Sequence, residues 1–139
     1  MGVRLRVVAV GRPRLEYARL GVELYGERIR RYAPLELLFV REAKELWPKA
    51  EGHRKIVLDE RGRLFTTEEL YRFLLGLEGE RVAFLVGGAE GHPEALRKEA
   101  DLLLSLSPLT LQHELALLVL LEQLYRILTL RAGHPYHRP

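Results

Sequence analysis

Five short apolar segments recur along the chain, separated by helical patterns or turns, and this alternation restricts the fold more than any other feature. The segments are apolar throughout, which is typical of strands buried on both faces. Such strands, separated by helices, predict an α/β domain with a parallel sheet of five to six strands and helices on both faces. The predicted strands are 5–10, 35–40, 55–58, 82–86 and 102–106.

Four amphipathic or apolar stretches between these strands predict helices, over 15–32, from Thr66 to about 77, from Pro93 to about 100, and over 114–131. Thr66 and Glu69 have the spacing of a capping box, in which the hydroxyl and the carboxylate satisfy free backbone amides. Gly133 is expected to end the last helix. Residues 41–53 are polar and predict a connection with at most a short helix.

The last helix is apolar around most of its circumference, so it must be buried on most sides. In so small a domain one side is expected to face the sheet and another a second copy of the chain. The alternative is a helix that leaves a few leucines exposed. The sequence therefore predicts a homodimer. The apolar residues of the last helix on which this prediction rests are Leu115, Leu117, Leu118, Val119, Leu120, Leu121, Leu124, Ile127, Leu128 and Leu130.

Composition narrows the class of protein. The 139 residues are 47% hydrophobic, which predicts a single domain over 1–139 with its own core. No cysteine is present, so disulfides, cysteine metal sites and cysteine nucleophiles are excluded. The longest apolar run, 115–121, is far too short to span a membrane, and a cytoplasmic protein is expected. The net charge of +3 is compatible with nucleic acid but equally with an ordinary surface.

Three predicted strands end in segments that converge on one edge of the sheet, where parallel sheets bind ligands. They end at Leu58, at Gly87, and at the segment 106–111. The glycine-rich run 87–91 permits close approach of a ligand to backbone, although it does not match the dinucleotide fingerprint and a tight structural turn is the simpler interpretation.

The segment that follows the fifth strand is unusually apolar for a loop. Leucines with exposed amides between them suit a flat heterocycle such as adenine. The alternative is a loop tucked under the last helix. Its residues are Leu106, Ser107, Pro108, Leu109, Thr110 and Leu111.

Polar residues on the last helix and in the tail that follows it are the other candidates for functional residues. Glu122 and Arg126, four residues apart, can pair on one helix face. The tail residues Tyr136, His137 and Arg138 can stack on a base or contact phosphate, whereas the alternative is a loose terminus. The histidines near this end are too few for a metal site, and no metal is expected.

Together these motifs resemble the RlmH family of the SPOUT, or α/β-knot, methyltransferases, and the resemblance spans essentially the whole chain. The strongest matches are in the C-terminal half. The matching segments are 8–11 with Tyr25 and Arg30, then 87–91, 104–107, 109–113, 121–126 and 135–137.

The resemblance implies a trefoil knot near the C-terminus, a homodimer, and S-adenosyl-L-methionine as the methyl donor. It also implies methylation of N3 of a pseudouridine in helix 69 of 23S ribosomal RNA in the assembled ribosome. The implied cofactor residues are Leu58, Gly87 and those of 106–111. The implied RNA-facing residues are Tyr136, His137 and Arg138, with His137 the candidate for proton handling and Arg138 for contact with an anion.

Three features depart from the family pattern. The segment between Val40 and Lys55 is shorter than usual, Gln112 replaces the usual proline, and Leu117 replaces the usual arginine. Three other functions remain open. A non-catalytic RNA-binding or ribosome-associated homodimer would bind RNA without the methyl donor. A doubly wound nucleotide-binding enzyme would have a glycine-rich first turn, where only Gly11 is present, and a purely structural dimer would bind neither ligand.

Overall fold

The structure is a computed structural model and describes residues 2–138. A five-stranded sheet alternates with four α-helices and two short 3₁₀ turns. In chain order the elements are β1 (Arg4–Val10), α1 (Glu16–Arg30), β2 (Leu35–Val40), 3₁₀ turns at Ala43–Glu45 and Pro48–Ala50, β3 (Arg54–Leu64), α2 (Thr67–Leu75), β4 (Arg81–Val86), α3 (Glu94–Glu99), β5 (Leu102–Ser105) and α4 (His113–Ala132).

All four strand pairings in the sheet are parallel, and the strand order is β2-β1-β4-β3-β5. The register places Val10 beside Val40, Ala9 beside Val86, and Leu58 beside Val86. The carboxyl ends of the strands therefore lie together along one edge. The predicted parallel sheet is confirmed, with five strands.

Alternate residues of each strand enter two separate cores, because successive side chains point to opposite faces of a sheet. On β4, Phe84 packs with α1, α2 and α4, whereas its neighbour Leu85 packs on the other face. That second face is covered by Leu96 of α3, by Leu46, which follows the first 3₁₀ turn, and by Ala50 of the second. Helices on both faces are therefore confirmed, and the short connection after β2 still buries apolar side chains.

The helix ends follow the local signals. Thr66 caps α2, with its hydroxyl accepting from the amide of Glu69 at 3.1 Å and the Glu69 carboxylate accepting from the amide of Thr66 at 2.7 Å. Gly133 ends α4 with a positive φ of 74°, a conformation that favours glycine. No helix within residues 2–138 is both long enough and apolar enough to cross a membrane.

The third strand differs from its predicted end at Leu58. It continues to Leu64, and both Leu58 and Arg63 lie opposite Leu104 of β5, so the residues between them bulge out of the sheet. The turn-like sequence marks this bulge rather than the end of the strand. Gly62 permits it, because a Cβ there would lie 2.5 Å from the carbonyl oxygen of Leu103.

The last helix packs against α1 and the sheet, and Leu117, Leu120 and Leu124 are buried. Leu117, which replaces the family's usual arginine, is thus a core residue. Contact with α1 is close, since a Cβ on Gly21 would lie 2.6 Å from Cδ1 of Leu118. Beside this contact α1 presents exposed apolar side chains, and the two helices share a surface, here called the apolar ridge: Tyr17, Leu20, Leu24, Leu115 and Leu118.

Candidate active site

A cavity of about 490 Å³ opens at the carboxyl edge of the sheet. Its walls come from the ends of β3, β4 and β5 and from the first turns of α4. The predicted cofactor residues that line it are Leu58, Gly87, Leu106, Ser107, Leu109, Thr110 and Leu111. Pro108 belongs to the same loop but is exposed and is not part of the lining. The structure therefore brings together segments far apart in sequence at the edge where a ligand site was expected.

The glycine-rich turn after β4 forms one wall of this cavity. The amide of Gly91 donates to the carbonyl oxygen of Gly88 at 3.1 Å, and Gly91 has a φ of +77°. A Cβ on Gly87 would lie 2.9 Å from the carbonyl oxygen of Gly91, a backbone atom that could move only with the turn. The turn is tight, as its sequence indicates, and it leaves bare backbone facing the cavity.

The loop after β5 is shaped by its two serines. The hydroxyl of Ser105 donates to the carbonyl oxygen of Ser107 at 3.0 Å, and the hydroxyl oxygen of Ser107 accepts from the amide of Leu109 at 2.9 Å. Leu109 remains 74% exposed. Of the two interpretations of this apolar loop, the structure favours a wall of an open cavity over a loop packed under α4.

A bond between side chains links two walls of the cavity. The hydroxyl of Thr110 donates to Oε2 of Glu60 at 3.1 Å. Glu60 lies in the bulge of β3, and the bulge places its carboxylate within reach of the loop after β5. The sequence marked these residues as a turn and gave no local sign of this long-range contact.

The other end of the cavity is polar and was not anticipated. Arg97 of α3 lies 3.5 Å from Oδ2 of Asp59 and 2.8 Å from Oε2 of Glu94. Burial lowers the pKa of His92, outweighing the opposite effect of the Asp59 charge, so the imidazole is held neutral. Its ring nitrogens make no hydrogen bond of good geometry within residues 2–138. The only sequence signal was position, since Asp59 and His92 directly follow Leu58 and the glycine turn.

The first turn of α4 joins the cavity to the loop after β1. His113 and Ala116 line the cavity. Gln112 caps the helix, its side-chain oxygen accepting from the amides of Glu114 at 2.9 Å and Leu115 at 3.0 Å. This bond gives the glutamine that replaces the family's usual proline a structural role.

Tyr136 is docked against the middle of α4, away from the cavity lining of its own chain. Its hydroxyl donates to Oε2 of Glu122 at 2.8 Å and lies 3.4 Å from the hydroxyl of Tyr25. Arg126 pairs with Glu122 at 2.6 Å and lies over the Tyr136 ring at 4.9 Å. Burial, with the Tyr25 and Glu122 hydrogen bonds, raises the pKa of Tyr136, so its hydroxyl stays protonated.

His137 is held by two partners at once. Its Nδ1 lies 3.1 Å from Nη1 of Arg126, and its Nε2 lies 3.1 Å from Oε1 of Glu68 on α2. A guanidinium can only donate, so Nδ1 accepts and the neutral ring carries its proton on Nε2, which donates to the carboxylate. The tail is therefore docked up to His137, whereas Arg138 is exposed. None of the three predicted tail residues lines the cavity of its own chain.

Within residues 2–138 no three His, Asp or Glu side chains are grouped to hold a metal ion.

Similarity to known proteins identifies the class of protein to which the chain belongs. Residues 3–137 match the family described as "Predicted SPOUT methyltransferase". Two solved structures share the fold at low identity. A probable methylase family protein from Haemophilus influenzae has a TM-score of 0.59 and 12% identity, covering 93% of this chain and 66% of that one. The tRNA (m1G37) methyltransferase from Aquifex aeolicus has a TM-score of 0.59 and 15% identity, covering 98% and 77%.

The particular family follows from the curated relatives. A protein of Thermus thermophilus named "Ribosomal RNA large subunit methyltransferase H" is 85% identical over 137 residues, which cover 99% of this chain and 100% of the relative. A protein of the same name from Deinococcus radiodurans is 44% identical, covering 98% and 99%. The chain belongs to this family of SPOUT methyltransferases, as its motifs indicated.

Proposed function

We propose that this protein transfers a methyl group from S-adenosyl-L-methionine to ribosomal RNA of the large subunit, at N3 of a pseudouridine in helix 69 of the assembled ribosome. One observation carries the proposal. The three segments that match the family's cofactor motifs, although far apart in sequence, line one cavity at the carboxyl edge of the sheet. The names of the full-length relatives support the same activity.

The cavity fits such a donor in size and in chemistry. Its volume of about 490 Å³ lies within the usual range for small-molecule sites. The residues that would hold the donor are Leu58, Gly87 and the loop Leu106, Ser107, Pro108, Leu109, Thr110 and Leu111. Leucine side chains would contact the adenine faces, and the turn at Gly87, where a Cβ would meet backbone, would let ligand atoms approach the main chain.

The bound donor supplies an electrophilic methyl group, so the protein needs no nucleophile of its own. Its residues have two other tasks. The apolar walls exclude water and fix the geometry of transfer, the main contribution that positioning makes to such a reaction. The acceptor N3 is an imide that must lose a proton, so a base or a cation near it would lower the barrier.

We assign the second task, removal of the proton and stabilisation of the anion, to the tail. His137 would accept the proton, although both of its nitrogens are engaged by Arg126 and Glu68 when the tail is docked, so its release must precede the reaction. Tyr136, with a raised pKa, would act as a hydroxyl donor rather than a base. Arg138, exposed and cationic, would contact phosphate or the imide anion.

A second copy of the chain would bring tail and cavity together. The tail lines no part of its own cavity, and in the apolar ridge the α1 side chains are exposed while Leu115 and Leu118 are half-buried. A homodimer that buries the ridge would place each tail beside a partner molecule. A heterodimer of Gly87→Leu and His137→Ala chains, purified through two tags, should regain activity that both homodimers lack; an inactive heterodimer would contradict a shared site.

The decisive experiment supplies unmodified ribosomes and radiolabelled donor to the purified protein. Label should enter large-subunit RNA at one pseudouridine, and free RNA should be a poorer substrate. The opposite result, RNA binding without donor affinity measured by calorimetry, would favour the non-catalytic RNA-binding homodimer instead. Because its substrate would be the ribosome, the enzyme is expected to act in the cytoplasm.

A further inference from the structure

Two arginines beside the cavity have no role in the site described so far. Arg12 and Arg14 lie in the loop between β1 and α1, at the same edge of the sheet as the cavity. Both are exposed, and neither makes an ion pair with a carboxylate in the described part of the chain. Two cations on one short loop, neither neutralised by a carboxylate, form a surface that an anion can occupy.

This loop is fixed rather than mobile. The amide of Gly11 donates to the carbonyl oxygen of Val40 at 2.7 Å, which ties the loop to the end of β2. The amides of Arg14 and Leu15 both donate to Oε1 of Glu114, at 2.8 and 2.9 Å. Glu114 is nearly buried, at 9% exposed, so its charge is directed inward at these amides.

The same anchor places the loop beside the cavity. Glu114 directly follows His113, which lines the cavity. On the other side, Val10 packs against the cavity wall, since a Cβ on Gly88 would lie 3.3 Å from Cγ1 of Val10. Arg12 is held with its guanidinium carbon 5.0 Å from the centre of the Phe39 ring. The Arg12 guanidinium and the backbone of Arg14 are therefore both held at the rim.

We propose that Arg12 and Arg14 form a phosphate-binding rim that receives the backbone of the RNA substrate beside the cavity. The proposal rests on the proposed function for the identity of the polyanion. A planar guanidinium donates two hydrogen bonds to one phosphate, and a fixed loop loses little entropy when it binds. Contacts of this kind set the position and orientation of RNA without reading its sequence.

The opposite edge of the sheet supplies a matched control. Arg4 and Arg81 begin β1 and β4, lie side by side in the register, and are also exposed. They too make no ion pair within the described residues. An Arg4→Gln/Arg81→Gln protein therefore loses the same charge as an Arg12→Gln/Arg14→Gln protein, but far from the cavity.

The test measures methylation of unmodified ribosomes as a function of salt. In the Arg12→Gln/Arg14→Gln protein, the KM for ribosomes should rise roughly five- to tenfold. The slope of log KM against log salt concentration should fall by about 1.5, because each lost phosphate contact removes about 0.7–0.9 from that slope. The kcat and the donor affinity should not change. An Arg12→Lys/Arg14→Lys protein should recover most of the slope but only part of the KM, since lysine keeps the charge without the planar fork.

Equal KM values and slopes for the rim and control variants would overturn the proposal. Donor affinity and thermal melting show that each variant is folded. If the wild-type protein transfers no label, the proposed function fails independently of the rim. Filter binding of labelled ribosomes by the same proteins then tests whether the rim binds RNA. Weaker binding by the Arg12→Gln/Arg14→Gln protein alone supports the proposal, and equal or absent binding overturns it.

Discussion

Nε2 of His137 lies 3.1 Å from Oε1 of Glu68, joining the end of the chain to the first turn of a helix 69 positions earlier. With Nδ1 engaged by Arg126, the imidazole has no free nitrogen while the tail is docked. The catalytic role proposed for His137 therefore requires that RNA or a partner subunit displace the tail from this docked position.

Replacing His137 by Ala should lower kcat by roughly 10²- to 10⁴-fold, the usual contribution of a general base, without changing donor affinity. Single-turnover methylation of ribosomes and calorimetry with the donor measure the two quantities. His134→Ala is the matched control, because His134 is exposed in the same segment. Turnover unchanged in His137→Ala would refute its role.

Replacing Gly87 by Leu should weaken donor binding by at least roughly tenfold, about 1.4 kcal/mol, because the new Cβ would lie 2.9 Å from the Gly91 carbonyl oxygen. Gly76→Ala is a control outside the cavity, at a helix end with a φ of −67°. Calorimetry measures the affinity, and thermal melting verifies folding. Wild-type affinity in a folded Gly87→Leu protein would count against this cavity.

Introducing charge on the apolar ridge should prevent the proposed homodimer from forming. Leu20→Glu/Leu24→Glu places carboxylates on side chains that are already about half exposed in one chain, so unfolding free energy should change by no more than about 0.5 kcal/mol. Sedimentation should show a monomer. Leu75 on α2 is similarly exposed, so the Leu75→Glu protein is the control and should remain a dimer. If the Leu20→Glu/Leu24→Glu protein sediments as the control does, the ridge is excluded as the interface.

Replacing Glu122 by Gln should lower the pKa of Tyr136 towards its ordinary value of 10.0, since a negative charge beside the phenol disfavours its ionisation. A raised pKa in the folded state adds stability that is complete below about pH 10 and is lost as pH rises through the folded pKa. The variant should therefore lose less stability than wild type in alkali. Tyrosinate absorbance measures the titration, and Tyr136→Phe identifies the signal; identical titrations would contradict the assignment.

Local patterns predicted the local parts of the fold well. The second strand has the expected bounds, and both the Thr66 cap and the Gly133 stop were visible from residue type and spacing. The continuation of β3 to Leu64 was missed because it depends on the pairing of Arg63 with Leu104 and of Leu64 with Ser105, in each case 41 residues later. Sequence periodicity has no information about such long-range pairing.

The residues of the candidate site also divide into those that the sequence predicts and those that it does not. The convergence of Leu58, Gly87 and the 106–111 loop on one edge was predicted because carboxyl ends of parallel strands converge, a rule that needs only the order of elements. His92, Arg97 and the partners of the tail were missed, since side-chain contacts across the fold leave no local pattern. The knot remains a prediction of the family resemblance, and the homodimer remains a prediction of that resemblance and of the apolar last helix.

A single helix, α4, connects the cavity to the place where the tail is docked. His113 at the start of α4 lines the cavity, and Arg126, thirteen residues on, holds the tail, a separation of about 20 Å at 1.5 Å per residue. Rotamer changes cannot close such a gap, so cooperation between the sites within one chain would need the tail to swing free. The helix acts as a rigid spacer between the cavity and the docked tail, and one inserted residue would turn its second half by about 100° and misalign the tail.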